Sequence, residues 1–78
     1  MIRVRVTAPP GCSRKRLDER GWMELPDGAR LSDVLRAIRM PKILARILMV
    51  SINGAAATPD TELINGDSIA FFSIVSGG

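Results

Sequence analysis

A chain of 78 residues has room for one domain, and an apolar share of 46% supports a small core rather than disorder. One cysteine, Cys12, and no histidine exclude an internal disulfide and the Cys/His zinc patterns. The formal charge of +3 is uneven, with six Lys/Arg against two acids in residues 1–20, which fits a solvated basic loop or a contact for an acidic partner or nucleic acid.

The first element is a strand. In "IRVRVT" Ile2, Val4 and Val6 alternate with Arg3, Arg5 and Thr7, the period of a strand with one buried face. "APPG" stops it, because proline cannot continue a ladder, and a polar loop is expected through Arg20. "WMELPDG" reads as a second strand running into a turn at Pro26-Asp27-Gly28, antiparallel to the first.

The period then changes. Leu31, Val34, Leu35 and Ile38 fall at i, i+3, i+4 and i+7, one stripe of a helix. Asp33 in its first turn and Arg36 and Arg39 near its end suit the helix dipole. Arg30 is a poor N-cap and Ser32 a better one by type, which would start the helix late. Pro41 marks its limit. "KILAR" fits either a further helical turn or a loop.

"ILMVSIN" is a strand, with Leu48, Val50 and Ile52 on one side and Ile47, Met49 and Ser51 on the other. Asn53-Gly54 is a hairpin turn signal, "AAAT" a short edge strand, and Asn65-Gly66-Asp67 a second turn. "SIAFFSIV" is apolar on both sides: Ile69, Phe71 and Val75 against Ala70, Phe72 and Ile74. The order β-β-α-β-β-β predicts an α+β fold, a sheet of four to five strands with one main helix on one face. The helix covers one side, so Ala70, Phe72 and Ile74 are expected on the open side near Met49 and the stems of Arg3 and Arg5. An apolar face beside arginines suits protein docking.

The sequence ends on Ser76-Gly77-Gly78, with no apolar side chain to pin it. A mobile tail over residues 76–78 is expected, thin enough to thread a tunnel. It would present the terminal carboxylate of Gly78, which reacts only after activation, for instance as an anhydride with AMP.

Order, length and ending resemble the ThiS/MoaD family of β-grasp, ubiquitin-like sulfur carriers. The segments that carry the resemblance are "LPDGARLSDVLRAI", "VSING" and "LINGDSIAFFSIVSGG". The most specific feature is the L-x-x-G-D turn, Leu63, Gly66 and Asp67, set before Gly77-Gly78. The resemblance implies a single β-grasp domain over residues 1–78. An adenylating partner of the ubiquitin-activating type would use ATP on Gly78, and sulfur would replace AMP to leave a thiocarboxylate. The sulfur would pass to a precursor inside a synthase, with the open face docking on each partner. The chain itself would be a carrier rather than an enzyme, with no bound cofactor or metal.

"AFF" and "VSGG" look most like the small subunit of molybdopterin synthase, and so does the long connection after the first strand. The stretch from Met40 to Ile47 looks more like the thiamine-thiazole carriers. The Pro-Pro of the molybdopterin branch is replaced here by Ser73-Ile74, and the positive charge departs from the acidic surface common among these carriers. A ubiquitin-like protein modifier would use the same activated Gly78. A basic nucleic-acid module on Arg14, Lys15, Arg16 and Arg20 would leave the glycines unexplained and has only Trp22 nearby for stacking.

Cys12 reads as an ordinary loop thiol, with Arg14 and Lys15 placed to lower its pKa. Asp67 reads as a turn residue. The sequence has no signal-peptide layout and no apolar run of membrane-spanning length, so a cytoplasmic protein without membrane contact is expected, and nucleic acid is not the expected partner.

Overall fold

The alternation at the start of the chain is realised as β1 (Ile2–Val6), whose Ile2, Val4 and Val6 are buried while Arg3 and Arg5 are exposed. The computed structural model describes residues 1–73. β2 (Trp22–Leu25) pairs antiparallel with β1, with Val4 opposite Met23 and Ile2 opposite Leu25. All four of these side chains lie on one side of the sheet and are buried.

Helix α1 (Leu31–Ala37) places Leu31 and Val34, and Ile38 just beyond it, at zero exposure against that side. It begins at Leu31, not later at Ser32. No side chain of its N-cap residue, Arg30, caps it; the carboxylate of Asp33 instead reaches back to accept the Arg30 N–H at 2.8 Å. The first helical donors are met by the 59–61 connector: Leu31 N–H donates to the Thr61 carbonyl and Ser32 N–H to the Pro59 carbonyl, each at 2.9 Å. At the other end Arg39 takes a left-handed φ of 54°. Met40 N–H donates to the Leu35 carbonyl and Arg39 N–H to that of Arg36, the paired bonds of a Schellman stop, with Pro41 preventing continuation.

The segment that the sequence leaves open between helix and loop is a second helix, α2 (Lys42–Ile47), with none of its residues buried. β3 (Leu48–Ile52) follows directly and turns through Asn53-Gly54 into β4 (Ala55–Ala56). Both turn residues have positive φ, 53° and 85°, the conformation a two-residue hairpin of this twist requires. The last element is β5 (Ser68–Ser73). Ile74 and Val75, expected to extend it, and the tail 76–78 lie outside the described residues.

The strands form one mixed sheet in the order β2-β1-β5-β3-β4, in which β5 runs parallel to β1 and antiparallel to β3. The core is the layer between this sheet and α1. It comprises Ile2, Val4, Val6, Met23, Leu25, Leu31, Val34, Ile38, Leu63 and Ile69, with Ala8 and Ala29 at its rim. Burying each of the larger side chains contributes about 1.5–3 kcal/mol.

Candidate functional site: the closing turn and the open face

The L-x-x-G-D segment launches the central strand. Leu63 is buried and its N–H donates to the Ala29 carbonyl at 2.8 Å. Gly66 has a φ of 92°, which side chains resist, and donates its N–H to the Arg3 carbonyl at 2.8 Å. Asp67 is buried, and its two carboxylate oxygens accept from Asn53 Nδ2 and from the Ile64 N–H, both at 2.9 Å. Asn53 in turn accepts the Ser68 N–H on its Oδ1 at 2.9 Å. These bonds tie the hairpin turn to the closing turn and place β5 between β1 and β3. Asp67 is thus a turn residue whose carboxylate is bonded to the Asn53 side chain and to the backbone of its own turn. The part of Asn53 in this arrangement was not legible beyond its turn propensity.

β5 divides its side chains as the alternation predicts. Ile69 is fully buried toward α1 and Phe71 is partly buried on the same side. Phe71 lines an apolar groove of about 280 Å³ that α1 leaves uncovered, together with Leu35, Met40, Leu48 and Val50. On the open side Ala70 is partly buried, Phe72 is 47% exposed and Met49, its direct partner across the strands, is 39% exposed. Phe72 and Met49 therefore form one apolar spot on the open side. Ser51, also on that side, is buried between small neighbours and donates its hydroxyl to the Ala70 carbonyl at 3.5 Å. Ile74, Ser76, Gly77 and Gly78 lie outside the described residues.

Arg3 and Arg5 stand on the same side but not beside that spot. Arg5 pairs with Ser68, four residues before Phe72, about 13 Å away at a strand rise of about 3.3 Å per residue. Arg3 is two residues further off. The expected nearness of these stems to Phe72 is therefore corrected by the register. Arg3 instead lies over the Trp22 ring, 5.2 Å from its centroid, with Nη2 at 3.4 Å from Asp18. Trp22 is partly buried under it. The open side has an apolar end at β3–β5 and a basic end at β1–β2.

Asp18 organises the basic end. Its carboxyl is held below the ordinary value of 3.8, first by the Trp22 N–H at 2.9 Å, then by the Arg20 N–H at 2.8 Å and the charge of Arg3. Cys12 behaves against expectation. Burial raises its thiol pKa despite the basic residues nearby, because it packs against the core with its Sγ 4.0 Å from the Met40 sulfur. Desolvation of the thiolate outweighs exposed charges that water screens. Among the described residues no cluster of His, Cys, Asp or Glu could hold a metal ion, and no helix is long and apolar enough to cross a membrane.

A mixed five-stranded sheet grasping one main helix, with β1 and β5 parallel at its centre, defines the β-grasp, ubiquitin-like fold. The crystal structure of SAMP1 from Haloferax volcanii has this fold. It aligns with a TM-score of 0.61 at 23% identity, over 99% of this chain and 98% of that one. The ThiS family model matches residues 15–78, and the chain belongs to the ThiS family. No curated protein matches it. Family membership carries a sulfur-carrier or ubiquitin-like role. Such carriers are generally not catalysts themselves, and they work with E1-like activating enzymes and sulfur-accepting partners.

Proposed function

We propose that this protein carries sulfur as a thiocarboxylate on Gly78 and delivers it during assembly of molybdopterin, for a molybdenum or tungsten cofactor. The observation that carries the reading is the family match over residues 15–78, which takes in both the L-x-x-G-D turn and the Gly77-Gly78 end. In this reading the adenylating enzyme directs the Gly78 carboxylate onto the α-phosphate of ATP, with pyrophosphate leaving. The terminal sulfur of a persulfide then displaces AMP, and a second thiol cleaves the S–S bond to free the thiocarboxylate. The chain supplies the substrate end and the docking face; its partners supply the acid–base groups.

The apolar spot of Phe72 and Met49, with Ala70, is the contact we assign to both partners in turn. A solvent-facing Phe on a central strand is a fitting anchor, since a few large apolar side chains carry most interface energy. The cytoplasm is the compartment this chemistry requires, and a lone thiol such as Cys12 is at home there.

The test is intact mass of the mature protein after incubation with ATP, a persulfide donor and its adenylating enzyme. Exchange of one oxygen for sulfur at Gly78 supports the reading. An unchanged mass, or a mature chain that continues past Gly78, contradicts it.

A second reading has one observation in its favour. Residues 42–47 fold into a single short helix, and this compact stretch resembles the thiamine-thiazole carriers. The acceptor would then be a thiazole synthase. Offering the thiocarboxylated protein to each synthase separates the two readings by which one takes the sulfur.

A further inference from the structure

The net charge has a location. Arg3, Arg5, Arg14, Lys15, Arg16 and Arg20 stand against Asp18, Glu19 and Glu24, and the remaining five cations are matched by five carboxylates elsewhere. The whole excess of +3 therefore sits on β1, β2 and the loop that joins them.

Part of this basic end is shaped. Arg5, Arg14 and Arg20 line an open depression of about 240 Å³ with Thr7 and Gly21. Arg14 is anchored there by donating Nη2 to the Ala8 carbonyl at 3.3 Å. The turn beneath Arg20 is fixed. Gly21 has a φ of 86°, its carbonyl accepts the Val6 N–H at 2.7 Å, and a Cβ there would meet the Val6 oxygen at 3.1 Å. The two nearby acids do little to neutralise the arginines. Asp18 is committed to Arg3 and to backbone donors, which leaves Glu19 as the one free carboxylate on the rim. Among the described residues the side chains of Arg5, Lys15, Arg16 and Arg20 make no ion pair or hydrogen bond.

We propose that this basic end is the electrostatic half of the docking face, and that it receives a carboxylate-rich segment of the adenylating enzyme while Phe72 and Met49 enter an apolar pocket of the same enzyme. The inference rests on the carrier reading above and adds the chemistry of the partner's surface. Unpaired guanidinium groups repel one another, so gathering them gains most from an anionic occupant. Carboxylates suit them through forked, two-point hydrogen bonds. The occupant is a protein rather than a nucleic acid for two reasons. The same sheet face continues into an apolar spot, which a phosphate backbone would not cover. The one aromatic at the basic end, Trp22, has Arg3 lying over its ring, where a base would have to stack. The partner's acidic segment would stand about 13 Å from its apolar pocket, the Arg5-to-Phe72 offset along the strands.

The experiment is ATP–pyrophosphate exchange by the adenylating enzyme, titrated with the full chain at low and at moderate salt. Three proteins are compared: wild type, the pair Arg5→Glu and Arg20→Glu, and the pair Arg36→Glu and Arg46→Glu on the helices. Both pairs change net charge equally, and their melting temperatures confirm folding. The expected result is a KM raised about tenfold or more in the sheet-face pair with kcat unchanged. Its dependence on salt should flatten, and the helix pair should stay near wild type. Equal shifts in the two pairs, or none in either, overturn the proposal while leaving the carrier reading intact. No exchange with wild type overturns both. Binding of a single-stranded RNA oligomer by wild type at physiological salt, lost in the sheet-face pair, would assign the patch to nucleic acid and overturn the protein occupant.

Discussion

The two sides of the sheet are written by the same strands and do opposite things. On the helix side Ile2, Val4, Met23, Leu25 and Ile69 are sealed under α1. On the other side Arg3, Arg5, Glu24, Phe72 and Met49 all face solvent. Alternation alone would make the outer side uniformly polar. It is instead graded from a charged end at β1–β2 to an apolar end at β3–β5. A small domain has little chain to cover a second face, and the apolar end it leaves uncovered is the docking spot proposed above.

The comparison can be broken from both sides, and the largest effect is expected at Gly78. Deleting Gly78 is expected to abolish thiocarboxylate formation while the melting temperature stays put, because among the described residues the buried core is complete by Ile69 with Phe71 packed against it. Mass analysis and thermal unfolding of the same sample read both halves of that expectation. Next in size is Ile69→Ala. It empties a fully buried position on the helix side and should cost about 2–5 kcal/mol by denaturant unfolding. That is a large share of the roughly 5–15 kcal/mol typical of whole domains.

A smaller loss is expected from Asp67→Ala, which strands the Ile64 N–H and frees Asn53. Two hydrogen bonds lost at roughly 0.5–1.5 kcal/mol each set the scale at about 1–3 kcal/mol, and chemical shifts at Ser68 should move with it. The smallest effect concerns Asp18. Its folded pKa is depressed from 3.8, so its contribution is complete above that value and is lost as pH falls through the lower, folded one. Melting temperature against pH should fall more steeply in wild type than in Asp18→Asn over that acid range. Parallel curves would show that the charge on Asp18 adds nothing to the fold.

What the sequence made legible was local. Period-two alternation marked β1 and the inner and outer residues of β5, the i, i+3, i+4, i+7 stripe marked α1, and Asn53-Gly54 marked its hairpin. What stayed hidden was set by packing between distant segments. The register of β1 on β5, which carries Arg3 and Arg5 away from Phe72, depends on bonds such as Arg5 N–H to the Asp67 carbonyl. The burial of Cys12 depends on the loop folding back onto Met40. α2 is too short and too exposed for a helical stripe to develop, so Lys42–Ile47 carried no periodic signal. The start of α1 at Leu31 is hidden from the sequence because the Ser32 N–H, which an N-cap side chain would otherwise meet, donates to the Pro59 carbonyl of a distant connector.

The central claim is that one side of the sheet folds the protein and the other engages its partners. Phe72→Asp tests it most directly, with melting temperature and affinity for the adenylating enzyme measured on the same preparation. The account predicts a melting temperature close to wild type and binding weakened at least tenfold, in keeping with loss of an interface anchor. Unfolding as severe as that of Ile69→Ala, or affinity unchanged, would contradict it.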